Sequence, residues 1–285
     1  MPLELLAGPF VEFAFMRRAL IAVLALALGA APLGVLLTLR RLSLVGDALS
    51  HAVLPGVALG FMFFGLSLTA LSIGGVLAGM LVVMVAALVS RHARIAEDAS
   101  LAALYLVALA LGVMLISLQG SQIDLLHILF GNVLGVDRDG LLLVASVASV
   151  TLLLLAAMYR GLLIDSFDPA FLAAGNGGNS GFQQLFLMLV VVNLVAAFQT
   201  LGTLMAVGLM MLPAISARLW HDTLAAQLVH SSCQAMAAGV AGLLLSYHAA
   251  LPSGPSIIVC AGLLYGGSLL LSPHGALATL RRART

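Results

Sequence analysis

Long apolar runs alternate with short polar joints along almost the whole chain. A helix crosses a bilayer with about 20 consecutive apolar residues. Windows of that kind fall near residues 14–39, 47–65, 68–90, 97–119, 139–159, 183–199, 202–219, 224–247 and 255–271. This reads as nine spans, or eight if the short, polar-tipped ones merge or re-enter. The joints carry helix-ending punctuation: Arg91-His92-Ala93-Arg94, Gly175-Asn176-Gly177-Gly178-Asn179 and Leu251-Pro252-Ser253-Gly254-Pro255. Within the runs there is little polar periodicity at 3.6 residues, as expected of helices that are apolar on all sides. Gly74, Gly75 and Gly79 lie in one run and allow close helix contact. The expected fold is all-α: a polytopic integral membrane protein with 8–9 transmembrane helices. No polar stretch is long enough for a second core, so residues 1–285 read as a single transmembrane domain.

Composition sharpens this picture. Hydrophobic residues make up 62% of the chain and charged residues 8%, where a soluble domain carries roughly a quarter charged. The net charge of +1 offers nothing to nucleic acid. All 12 basic residues are arginine and lysine is absent. Positive residues collect in cytoplasmic loops. With a cytoplasmic C-terminus, nine spans place Arg40, Arg41, Arg91, Arg94, Arg160, Arg218, Arg281, Arg282 and Arg284 inside, and only Arg17, Arg18 and Arg138 outside. Arg17 and Arg18 fit either an interfacial N-terminal helix or a cytoplasmic N-terminus with one fewer span. The N-terminal segment lacks the form of a signal peptide. Cys233 and Cys260 sit in apolar stretches and read as small core residues rather than a disulfide or metal site.

The chemistry concentrates in one segment. Asp47 and His51 stand four residues apart, so on a helix they share one face and reach the same ion. Ionisable groups are costly within a bilayer, and those found there mark pathways or relays. A carboxylate and an imidazole suit a borderline divalent metal, while manganese accepts more oxygen ligands. Two ligands are too few for a closed site, which fits an ion in transit. The plainer alternative is a helix-capping Asp47 with a packed His51.

His230, one to two turns inside the eighth span, is the best additional ligand within the membrane. Asp124 and His127 form a lesser pair near the outer end of the fourth span. Tyr247 and His248 read as interfacial anchors; His92, His221 and His274 read as solvated span ends; Glu97 and Asp98 read as the acidic first turn of a helix. Pro55 and Pro213 are expected to bend or break their helices. Met210 and Met211 read as packing, and Met62 and Met80 as possible parts of an apolar gate. A chain without lysine lacks the P-loop lysine, so ATP hydrolysis would fall to another polypeptide. Zinc-protease, nucleophile-elbow and spaced-cysteine motifs are also absent from the sequence.

The run Arg40-Arg41-Leu42-Ser43-Leu44-Val45-Gly46-Asp47-Ala48-Leu49-Ser50-His51-Ala52-Val53-Leu54-Pro55-Gly56 resembles the signature of the ABC-3 family, permease subunits of bacterial zinc and manganese importers. The likeness continues through Glu97-Asp98-Ala99, Leu129-Phe130-Gly131-Asn132, Asp168-Pro169-Ala170-Phe171, Gly202-Thr203-Leu204-Met205, Leu212-Pro213-Ala214, Ser246-Tyr247 and Leu251-Pro252-Ser253-Gly254. It implies a permease like those of type II ABC importers, in the bacterial plasma (inner) membrane. It also implies as partners a second copy of the chain, a cytoplasmic ATP-binding cassette ATPase dimer, and a periplasmic or surface metal-binding protein. No permanent cofactor is expected, and the cargo is expected to be zinc ahead of manganese or iron. Asp165 to Ala174 would supply a short helix for docking the ATPase, and the Gly/Asn-rich stretch from Gly175 to Gly181 departs from the family's usual pattern. From the residues alone, a proton-coupled metal carrier or a non-conducting scaffold remains open.

Overall fold

A computed structural model describes residues 2–65, 67–93, 96–118, 133–167 and 181–275. Among these residues, eleven α-helices and one short 3-10 turn appear in chain order, with no strand. They are α1 (Pro2–Glu12), α2 (Ala14–Leu39), α3 (Val45–Ala52), α4 (Leu54–Phe64), α5 (Leu68–Ala93), α6 (Glu97–Leu118), the turn Val133–Gly135, α7 (Arg138–Phe167), α8 (Gly181–Leu201), α9 (Thr203–Trp220), α10 (Leu224–Ala249) and α11 (Ser253–Leu271). With α3 and α4 counted as one broken span, nine stretches are long and apolar enough to cross a membrane. All nine match the windows read from sequence.

The eleven-residue α1 is too short to cross, at 1.5 Å rise per residue. It leads into α2 near Phe13, and Arg17 Nη1 donates to the Val11 carbonyl at 2.8 Å. Arg17 and Arg18 therefore stand in the first turns of α2, just after the short α1.

Helix α2 is the hub, packed against α7, α8, α9 and α10. Its inner surface is lined with Ala and Gly, which brings neighbouring backbones close: a Cβ on Gly34 would overlap the Met210 carbonyl oxygen. The second group, α4 with α5 and α6, joins the hub through α8. There Gly56 and Gly74 meet backbone to backbone, since a Cβ on either would overlap the other's carbonyl oxygen. In lipid, where helices gain nothing by leaving water, such close van der Waals contact is the main source of association. Buried polar groups pair across helices: Asn193 Nδ2 donates to Thr151 Oγ1 at 2.6 Å, and Ser216 Oγ to Ser268 Oγ at 2.6 Å.

The bundle has two chemically distinct ends. At one, Arg40 Nη2 reaches the Leu162 carbonyl at 3.4 Å and Arg218 Nη1 the Thr38 carbonyl at 3.2 Å, tying the ends of α2, α7 and α9 together. At the other, Phe13 and Tyr247 pack with ring centroids 5.8 Å apart. Three sequence expectations change. Pro213 sits inside an unbroken α9, because a proline in lipid is accommodated when neighbouring helices support it. Cys233 lies on an exposed face of α10 rather than in the core. The stretch from Asp165 continues α7 to Phe167 instead of opening a new helix, and the remainder to Ala174 lies outside the described residues.

Candidate functional site

The break between α3 and α4 positions the polar pair. Pro55 lacks the N–H that would bond to the His51 carbonyl, and here, unlike at Pro213 in α9, the helix is interrupted. The interruption falls at Val53, whose backbone stays right-handed helical (φ −79°, ψ −17°), and α4 begins with proline in its first turn. Val53 lies over Gly79 together with Val191. Both of those residues fall near the middle of their helices, α5 and α8. The break is therefore deep in the bundle, and α3 descends from it toward the arginine-rich end.

Six of the eight residues of α3 are buried: Val45, Gly46, Ala48, Leu49, Ser50 and Ala52. They pack chiefly on α6 and α8, and Gly46 leaves room for the thioether ends of Met210 and Met211. Both methionines are buried, as packing residues would be. The other two residues are Asp47 and His51. They share the face that the chain leaves uncovered, with Asp47 Oδ1 and His51 Nε2 3.9 Å apart. The Asp47 side chain is 64% exposed and that of His51 28%. Ser50 Oγ turns away and donates to the Asp47 main-chain carbonyl at 2.7 Å, which leaves the carboxylate uncommitted by it.

His230 is placed elsewhere. Its helix α10 packs against α2, α9 and α11, while α3 packs on α6 and α8. The partner of His230 is His221, with Nε2 of His221 3.1 Å from Nδ1 of His230. Sequence reasoning treated His221 as a solvated span end, and the structure corrects this. The nine-residue separation crosses the turn between α9 and α10, so helical spacing gave no signal. Asp222 and His274 form a looser pair at the same end, 3.7 Å apart. Asp124 and His127 lie outside the described residues. Glu97 does open α6, and Asp98 Oδ1 accepts from the Ala99 N–H at 2.9 Å, as a first-turn carboxylate should. Tyr247 and His248 are exposed at the end of α10.

Among the described residues, no three His, Cys, Asp or Glu side chains converge as a metal site. The polar pairs are two-ligand arrangements. Two donors are too few for a closed site, so an ion held by such a pair would take the rest of its shell from water or another molecule.

Residues 12–272 match the family model described as the ABC 3 transport family. A manganese transport system membrane protein (MntC) of Halalkalibacterium halodurans is 32% identical over 269 residues, covering 94% of this chain and 91% of its own length. The manganese import system permease protein ScaB of Streptococcus gordonii is 33% identical over 262 residues, covering 92% and 93%. Among solved structures, PsaBC from Streptococcus pneumoniae in complex with Fab matches with a TM-score of 0.84 at 33% identity, over 99% of this chain and 100% of that one. A metal-chelate type ABC transporter in an inward-facing conformation shares the fold alone, with a TM-score of 0.68 at 17% identity over 92% of this chain and 87% of that one.

Proposed function

Because the chain belongs to the ABC 3 transport family and is a multi-pass permease of an ABC-type metal importer in the bacterial plasma membrane, we propose that manganese is the ion it carries. Relatives about one-third identical along almost their full length are named for manganese transport, and this moves manganese ahead of the zinc favoured by sequence alone. Family membership likewise displaces the proton-coupled carrier and the scaffold. The donor set is compatible with this: one carboxylate and one imidazole serve manganese as well as zinc, and the choice between them rests on the relatives.

The observation that carries the pathway reading is the position of Asp47 and His51. Among the described residues they are the two of a short helix that are not buried, on a span interrupted deep in the bundle. Transporters place cargo sites at such breaks, near the middle of the membrane. An ionised carboxylate facing lipid would be strongly disfavoured, so the uncovered face of α3 belongs against water or a second copy of the chain. Two copies facing each other across a dimer axis would line one pore with two Asp47 and two His51. Manganese handed over by an outer metal-binding protein then meets carboxylate oxygen and imidazole nitrogen in place of some of its water. ATP binding and hydrolysis in two cytoplasmic ATPase subunits rock the permease dimer. The incomplete protein shell then lets the ion go on the other side.

The deciding experiment uses the full complex in liposomes, with radiolabelled manganese competed by zinc. Manganese uptake that resists equimolar zinc supports the assignment, and preferential zinc uptake overturns it. His51→Ala is expected to abolish uptake while the ATPase still co-purifies. Normal uptake by that variant removes the pair from the pathway.

A further inference from the structure

We propose that His221 and His230 form a second metal site, at the arginine-rich end of the bundle, which takes zinc or another late first-row divalent ion rather than manganese. The site goes beyond the importer reading and does not depend on it, because these residues belong to α9 and α10 and not to the broken span.

The geometry is that of two ligands prepared for one ion. His221 caps the C-terminus of α9, and His230 stands on the second turn of α10. Their ring planes are inclined at 66°, with centroids 5.0 Å apart. The facing nitrogens, Nε2 and Nδ1, are 3.1 Å apart. Two nitrogens held about 2.0–2.1 Å from a tetrahedral zinc stand about 3.3 Å from each other. A small rotation of each ring, with the shared proton passing to the outer nitrogen of its own ring, therefore turns both facing lone pairs onto a metal ion.

The surroundings hold the pair without consuming it. Gln227 Nε2 donates to the His221 carbonyl at 2.7 Å, which fixes the turn between the helices. Trp220 lies nearly parallel to His230, at 24° and 6.2 Å between centroids. The outer ring nitrogens, His221 Nδ1 and His230 Nε2, make no hydrogen bond among the described residues. No carboxylate locks either tautomer, so moving the shared proton to an outer nitrogen disrupts no further network. Asp222, next in sequence, adds an exposed carboxylate to the same turn and attracts cations to it.

The metal class follows from the ligands. Imidazole nitrogen suits zinc, nickel and copper, and affinity at a nitrogen site rises steeply from manganese toward copper. An all-imidazole pair thus discriminates against manganese more strongly than the Asp47–His51 pair, whose carboxylate is an oxygen ligand that manganese accepts. An ion at His221 and His230 joins the end of α9 to α10 and so stabilises the folded bundle by binding it preferentially.

The chain's single tryptophan is the residue stacked on His230, which gives a direct readout. In the full-length protein in nanodiscs, nickel(II) added at micromolar levels is expected to quench most Trp220 emission, and manganese(II) to leave it unchanged. His221→Asn and His230→Asn should each abolish the nickel quench, whereas the Asp47→Asn/His51→Asn double variant should keep it. Quenching that survives both histidine variants, or that manganese reproduces, overturns the site. In the unaltered protein, zinc should also protect His221 and His230 from diethyl pyrocarbonate, mapped by mass spectrometry. Unprotected modification at both positions overturns the site even if the variants fail to fold. Manganese uptake does not enter either measurement, so this proposal and the cargo assignment stand or fall separately.

Discussion

Asp47 Oδ1 and His51 Nε2 stand 3.9 Å apart on the face of α3 that, among the described residues, holds its two residues that are not buried. That single relationship separates function from stability. An exposed ion pair contributes about 0–1 kcal/mol to folding, so its presence is better explained by what it meets than by what it holds together.

Asp47→Asn is expected to lower manganese uptake by about tenfold or more, in keeping with the loss of one ligand from a sparse shell. The melting temperature of the purified complex should stay close to that of the unaltered protein. Uptake in liposomes and a thermal melt on the same preparation check both halves. A variant that melts much earlier would assign Asp47 a structural role instead.

Pro55→Ala restores an N–H opposite the His51 carbonyl and permits one continuous helix through Val53. The folded protein is expected to persist while uptake falls, because the turn that sets the direction of α3 is lost. Transport assays beside size-exclusion profiles test this. Unchanged uptake would show that the break is not needed to orient the pair.

Gly56→Ala places a methyl group against the Gly74 carbonyl oxygen, backbone that cannot swing aside, and the Ala78 methyl. Overpacking of this kind costs about 1–3 kcal/mol, so expression and melting temperature should drop. Gly262→Ala is the matched control, since a Cβ there meets nothing within 4 Å. Equal behaviour of the two variants would mean that α4 and α5 are free to separate.

The two ends of the bundle should face opposite sides of the membrane. With Cys233 and Cys260 replaced by Ser, Ala250→Cys at the Tyr247 end should react with an impermeant maleimide in intact cells. Asp222→Cys, at the arginine-rich end, should react only after permeabilisation. The reverse pattern would invert the bundle and the direction assigned to transport.

Most of the architecture was legible because lipid imposes a one-dimensional rule. A spanning helix needs about 20 apolar residues whatever its neighbours are, so the windows found the spans without knowledge of packing. The turn at Pro55 was legible for a similarly local reason, the missing N–H. Pro213 was not, since whether a proline breaks a helix depends on what supports it from outside, and α9 runs on intact. Cys233 was misplaced because a helix that is apolar on all sides does not announce which side faces its neighbours.

The site divides along the same line. Asp47 and His51 could be paired from sequence because they lie one helical turn apart, a distance set by backbone geometry alone. The partnership of His221 with His230 could not, because it depends on how the turn after α9 aims one ring across at another helix. The chain's order of residues therefore determined where the spans lie and the first polar pair, both consequences of local backbone geometry in an apolar solvent, and left their number at eight or nine. Only the tertiary structure decided which faces are buried, that α3 exposes its two ionisable residues, and that His230 belongs with His221, because those facts arise from contacts between helices distant in sequence.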